Sequence, residues 1–165
     1  MLIQSVFFLL IALAVTPSTE DQNNDLDFLI EKAVDAVNNS DYESALFYFN
    51  EILKQDPNNY AMLNNKGGVL IELERYEEAL EIFEEILEIN PDFVKAINNK
   101  AITLHKLGEN FDALSTFYKA YEIDPDNFIT IKNMAEIVQE MPLIEVSGYA
   151  KIELRTKANR QLNTR

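Results

Sequence analysis

The chain has 165 residues, 47% of them hydrophobic, and carries 28 Asp and Glu against 14 Lys and Arg, a formal net charge of −14 at pH 7. That balance argues against a nucleic-acid surface, which needs clustered Lys and Arg to displace counterions, while the length allows one core of moderate size. No cysteine is present, which excludes disulfides, thiolate metal sites and thiol nucleophiles; four glycines and five prolines suit a helical chain with short turns.

The first sixteen residues carry no charged side chain, and Val6 to Val15 is an unbroken apolar run. A membrane span needs about 20 apolar residues, so this run is short for one. It has the size of the apolar region of a secretory signal, with Ala12-Leu13-Ala14 as an Ala-x-Ala cleavage pattern, although Lys and Arg are missing from its front. Residues 1–19 are therefore assigned as a signal peptide or N-terminal membrane anchor, two fates that one sequence does not separate. The expected location is exported or membrane-anchored; a cytoplasmic protein with an apolar N-terminal helix docked on its body is the alternative. Residues 20–25 form an acidic spacer.

Amphipathic segments follow. Leu26–Asn38 and Tyr42–Lys54 predict two helices, joined by Asn39-Ser40-Asp41, which offers N-cap residues for the second. Asn38-Asn39-Ser40 is also an Asn-x-Ser sequon, for which an ordinary turn is the preferred reading. From Tyr60 to Pro91 two more helices are predicted. Leu63, Gly67, Leu70 and Ile71 line one face of the first, and Ala79, Leu80, Phe83, Ile86 and Leu87 form the stripe of the second. Glu77, Glu81, Glu84, Glu85 and Glu88 fall on the opposite face. Gly67 and Ala79 are small enough for the two helices to cross closely there, and Pro91 ends the pair.

A third pair spans 94–127. Asn110 stands where Tyr42 and Tyr76 stood, and the neighbouring Phe111 is expected to recover the aromatic ring. Phe128 to Met141 gives one further helix with Ile131, Met134, Ala135 and Val138 as its stripe, interrupted by Pro142. At the end of the tail, 143–165, residues 151–165 carry Lys151, Arg155, Lys157, Arg160 and Arg165 against Glu153 alone, a net of +4. Ala150, Leu154, Ala158 and Leu162 fall at helical spacing, whereas Tyr149 to Arg155 alternates as a strand would, so both structures stay open. This basic tail either lies on the acidic body or contacts an anionic partner or membrane surface.

The segments repeat. Pro57, Pro91 and Pro125 stand 34 residues apart, as do Ala45, Ala79 and Ala113; Leu46, Leu80 and Leu114; and Phe49, Phe83 and Phe117. Lys32, Lys66 and Lys100 keep the same step, followed by Ala33, Gly67 and Ala101. With this period and this small-residue, aromatic and proline signature, the chain resembles the tetratricopeptide repeat (TPR) family. The resemblance covers residues 26–141. It implies an all-α fold, a right-handed α-solenoid of three TPR helix hairpins plus a capping helix: TPR 1 at 26–59, TPR 2 at 60–93, TPR 3 at 94–127, the cap at 128–142 and the basic tail at 143–165. A single hairpin cannot bury its own stripe, and stacked copies can.

The resemblance also implies a concave groove lined by the first helix of each repeat. Its exposed positions would be Asp27, Ile30, Val34 and Val37; Ala61, Asn64, Gly68 and Ile71; Lys95, Asn98, Ile102 and His105; and Lys132 and Glu136 of the cap. Asn65 and Asn99 match a position that is commonly Asn in the family and serves packing or binding. The partner-binding set is thus Ile30, Val34, Val37, Asn64, Asn65, Ile71, Lys95, Asn98, Asn99, Ile102, His105 and Lys132. It runs from apolar at repeat one to weakly basic at the far end, and suits an extended segment with apolar side chains first and a neutral or acidic portion last. Chaperone-binding members hold a terminal Asp carboxylate with a Lys/Asn/Arg clamp. At the matching positions Ile30, Val34, Asn65, Asn98 and Ile102 only Asn65 keeps a clamp residue, and the cations that would offset carboxylate desolvation are missing.

Little in the sequence could carry chemistry. His105 is the one histidine, no Gly-x-Ser-x-Gly elbow or phosphate loop occurs, and the carboxylates lie at helix-surface spacing. No cofactor or metal site is expected. The sequence therefore predicts a non-enzymatic protein–protein interaction scaffold whose groove takes an extended peptide or a helix. The alternative is an assembly subunit, or a self-associating protein, that uses helix faces and the C-terminal tail.

Overall fold

The computed structural model describes residues 19–141, and every regular element among them is an α-helix. The helices are α1 (Thr19–Asn38), α2 (Tyr42–Gln55), α3 (Tyr60–Glu72), α4 (Tyr76–Ile89), α5 (Val94–Lys106), α6 (Asn110–Ile123) and α7 (Phe128–Glu140). Consecutive helices pack against each other along the whole series, and α3 touches α5 as α5 touches α7. The first helices of the second and third hairpins and the capping helix thus lie side by side. None of the described helices is long and apolar enough to cross a membrane. The assignments of residues 1–18 and of the tail lie outside the described residues.

One expectation is corrected at the start. The acidic spacer expected at 20–25 belongs to α1, which begins at Thr19 rather than Leu26. Residues 19–38 contain neither Pro nor Gly, so nothing stops the helix from extending N-terminally. The apolar periodicity from which the boundary was drawn cannot register turns made only of polar residues.

Local chemistry fixes the remaining boundaries. Asp41 caps α2 by accepting from Ser44 N at 3.3 Å, Asn59 caps α3 from Met62 N at 3.1 Å, and Asn127 caps α7 from Thr130 N at 3.2 Å. Within each hairpin the turn has three residues. Its middle residue is left-handed each time: Ser40 at φ 57°, Glu74 at φ 58° and Gly108 at φ 84°, spaced 34 apart. The exposed prolines of the other turns then separate one repeat from the next.

The core is the stack of second-helix stripes against first-helix small residues. Ala33, Ala45, Ala79, Ala101 and Ala113 are fully buried, with Phe49, Phe83 and Phe117 inserted among them. The glutamates of the α4 outer face, Glu77, Glu81, Glu84, Glu85 and Glu88, are all exposed. The expected close crossing in repeat two has a sharper form: a Cβ added at Gly67 would lie 2.6 Å from the ring of Phe83. The ring is buried, and Gly67 stands where the neighbouring repeats carry Ala33 and Ala101.

A second correction concerns repeat three. Phe111 does not restore the missing tyrosine ring; it is 59% exposed. Asn110 takes the place of the tyrosine in a different way, through a 2.7 Å hydrogen bond between its Oδ1 and His105 Nδ1. In repeats one and two the corresponding residues are Val37 with Tyr42 and Ile71 with Tyr76. An apolar pair has been exchanged for a polar one.

A concave cavity as candidate functional site

The site is built by a missing side chain. Val34, Gly68, Ile102 and Glu136 occupy one column of the repeat, 34 residues apart, on the concave side of the first helices. Gly68 leaves that column empty in repeat two: a Cβ placed there would meet nothing within 4 Å. The space opens into a cavity of about 500 Å³ between α1 and α3. Its apolar wall consists of Val34, Val37, Tyr42, Phe49 and Val69. Asn38, Asn64, Asn65 and Asn99 supply amides, and Glu72 is the one charged residue among the described residues that line it.

Of the residues expected in the groove, Val34, Val37, Asn64, Asn65 and Asn99 meet in this cavity. Val34 is 50% exposed and so presents an apolar surface to solvent before anything binds. Ile102 and His105 fall instead in a smaller space of about 260 Å³ between α5 and α7, with Lys106, Phe117, Asn133, Glu136, Ile137 and Glu140. Ile30 and Ile71 are half-buried and pack against the core, and Lys95 is exposed.

Asn64 and Asn98, expected to be exposed, are 7% and 6% accessible. Asn99 Nδ2 donates to Asn64 Oδ1 at 3.0 Å, and Thr130 Oγ1 donates to Asn98 Oδ1 at 2.9 Å. Both amide oxygens therefore tie one repeat to the next. A helical position assigned to the groove by column alone overlooks this, because a short polar side chain can turn to the adjacent repeat. No side-chain nitrogen or oxygen buried among the described residues lacks a hydrogen-bond partner, as a folded interior requires.

The electrostatics of the far end also differ from the expected basic gradient. Lys132 Nζ lies 3.6 Å from Glu136 Oε1, and His105 Nε2 lies 3.3 Å from Glu140 Oε2. A neutral imidazole can donate to one of its two oxygen neighbours, Asn110 Oδ1 or Glu140 Oε2; only the imidazolium donates to both. Lys132 and His105, two of the residues expected to face a partner, thus have carboxylate neighbours on the capping helix. No group of three or more His, Cys, Asp and Glu among the described residues could hold a metal ion.

Asn38, Tyr42 and Glu72 belong to the cavity and were missed in the sequence. Tyr42 lies on a second helix and Asn38 and Glu72 at helix ends, outside the columns of the concave face. Gly68 was placed among the exposed groove positions but left out of the partner-binding set.

Family models described as Tetratricopeptide repeat match residues 36–101 and 94–127, together more than half of the chain. No curated protein matches the sequence. Among solved structures, MamA 41-end from Desulfovibrio magneticus RS-1 is similar at a TM-score of 0.74 and 20% identity, covering 88% of this chain and 80% of that one. The first TPR of Spaghetti (RPAP3) bound to the HSP90 peptide SRMEEVD has a TM-score of 0.64 and 19% identity, over 70% of this chain and 91% of that one. The Arabidopsis OM64 TPR domain has a TM-score of 0.65 and 18% identity, over 70% and 96% respectively. At these identities the structures share the fold. With the 34-residue register, the stacked hairpins and the two family matches in agreement, the chain belongs to the tetratricopeptide repeat family.

Proposed function

We propose that this protein is a non-enzymatic interaction scaffold whose concave face holds an extended segment of a partner protein, with one apolar side chain seated over Gly68 between α1 and α3. The observation that carries the reading is the cavity of about 500 Å³ at Gly68, with Val34 exposed on its wall. Such a space accepts a Leu, Met or aromatic side chain, and burying one is worth about 1.5–3 kcal/mol. Asn65 and Asn99 at its edge offer amide donors and acceptors, the chemistry a peptide main chain needs.

Charge narrows the ligand further. Among the described residues Glu72 is the charged residue of the cavity, and no Lys or Arg lines it. A terminal carboxylate seated there would be desolvated beside a negative charge with no compensating Lys or Arg. The preferred segment therefore carries an apolar anchor with neutral or basic neighbours. Selection from a library of linear peptides, with the full chain as bait, tests this directly. Enrichment of an apolar residue flanked by neutral or basic ones is expected, and enrichment of acidic C-termini overturns the reading. The competing proposal, assembly through helix faces and the tail, predicts instead an oligomeric mass that rises with concentration and no selectable peptide.

A further inference from the structure

The smaller space between α5 and α7 is the cavity at Gly68 met again two repeats later. Each of the eight described residues that line it stands 68 positions, two repeat periods, after a residue lining the first. Ile102, Phe117 and Ile137 keep the apolar wall of Val34, Phe49 and Val69. Asn133 keeps the amide of Asn65, and Glu140 the carboxylate of Glu72. Three positions change character: His105 stands for Val37, Lys106 for Asn38 and Glu136 for Gly68. The concave face thus carries one depression twice, apolar and about 500 Å³ at the first, polar and about 260 Å³ at the second.

The charges of the second cavity point to its occupant. Glu136 and Glu140 both line it and lie four residues apart on α7, which places them one turn apart on the same helix face. Their side chains are 56% and 63% exposed, so a ligand can reach them. Lys132 and His105 each approach one oxygen of these carboxylates. A carboxylate offers two oxygens and about four lone-pair sites, so both keep acceptor capacity for a ligand. Among the described lining residues the two carboxylates stand against one lysine, Lys106. A guanidinium, planar and with five donors, bridges two such carboxylates better than a compact ammonium does. Its apolar stem would lie along the half-buried Ile102. The net charge of −14 also favours the approach of a basic segment.

We propose that the second cavity takes an arginine from the same partner segment whose apolar residue fills the cavity at Gly68. This inference rests on the function proposed above and adds a spacing to it. Gly68 on α3 and Glu136 on α7 are separated by two steps between touching helices, α3 to α5 and α5 to α7. At about 8–10 Å per step, the two sites lie roughly 16–20 Å apart. An extended chain rises about 3.3 Å per residue, so the arginine stands about five or six residues from the apolar anchor. A helical segment rises about 1.5 Å per residue and would need about eleven to thirteen.

Synthetic peptides of neutral polar background test the spacing. They carry one Leu, one Arg, or both, with the Arg moved stepwise to either side of the Leu, and fluorescence anisotropy reads their binding to the full chain. Affinity is expected to peak with the Arg about five or six positions from the Leu, on one side only. Citrulline in place of that Arg keeps the shape, removes the charge and should weaken binding about fivefold, the upper end for a solvated ion pair. Glu136→Gln combined with Glu140→Gln should abolish the difference between Arg and citrulline. Both carboxylates are exposed, so the fold should survive, and circular dichroism of the variant checks this. Binding that depends on Leu, is weakened by Gly68→Leu and ignores the position of Arg leaves the first cavity in place and overturns the second. A peak that persists in the double Gln variant overturns it as well, and a peak at about eleven to thirteen residues overturns the extended spacing. Binding of Arg peptides without any effect of Leu overturns the pairing of the two cavities, and no binding by any peptide overturns both readings.

Discussion

Thr130 Oγ1 donates a 2.9 Å hydrogen bond to Asn98 Oδ1 with both residues buried, and this bond joins the capping helix to repeat three. Thr130→Val keeps the volume and leaves the Asn98 oxygen without its donor. The expected loss is about 1–3 kcal/mol, the cost of a buried unsatisfied group. Thr130→Ser, which retains the hydroxyl, should lose less. Denaturant melts of the two variants check the order; equal losses would mean that the methyl group rather than the hydrogen bond matters.

The two adjacent glycines should respond in opposite ways. Gly67→Ala drives a methyl to within 2.6 Å of the Phe83 ring and should destabilise by roughly 1–3 kcal/mol, beyond the helix propensity it gains. Gly68→Ala meets nothing and should stabilise by about 0.5–1 kcal/mol, the ordinary helical difference between the two residues. Ala79→Leu should resemble Gly67→Ala because Ala79 is fully buried, while the exposed Glu81→Ala should stay within about 0.5 kcal/mol. Chemical denaturation of the set reads all four.

Arg75 and Glu78 form a bidentate pair at 2.7 and 2.6 Å at the start of α4. The hydrogen bonds from Arg75 hold the Glu78 carboxyl below the usual carboxylate range. A lowered carboxylate pKa contributes stability above its unfolded value and loses it as pH falls through the folded one. Both side chains are solvated, so the contribution is small and screened by salt. Glu78→Gln should therefore flatten the acid side of the Tm–pH profile slightly at low salt and not at high salt. A difference that persists at high salt would contradict this assignment.

How much of this was legible in the sequence depends on the period of the signal. The hairpins, their buried alanines and phenylalanines, and the acidic outer face of α4 follow from residues recurring every 34 positions. What failed is not set by that period alone. The first turns of α1 are polar and carry no apolar period, so the helix was started seven residues late. Phe111 was expected to act for a tyrosine because rings are alike in composition, but a shift of one residue turns a side chain by about 100° around the helix axis. Asn64 and Asn98 lie in groove columns and still point their oxygens to the adjacent repeat. Gly68 was placed in a groove column but left out of the partner-binding set, because a missing side chain becomes a cavity only where the surrounding residues of α1, α2 and α3 leave it open.

The N-terminal assignment is tested by intact mass of the chain made in its native host. A mature chain beginning at Val15 is expected for a cleaved signal, and a full-length chain in the membrane fraction for an anchor. A full-length chain recovered from the soluble cytoplasmic fraction contradicts both.

The central claim is that the space at Gly68 holds an apolar side chain of the partner. Gly68→Leu separates that claim from any effect on folding, because it fills the cavity while giving α3 a better helix former, by about 0.8–1 kcal/mol. Titration calorimetry with the selected peptide, on the wild-type chain and on this variant, measures it. The account predicts a Tm unchanged or raised together with a Kd weakened at least about tenfold, or about 1.4 kcal/mol. An unchanged Kd on a folded Gly68→Leu chain would contradict it.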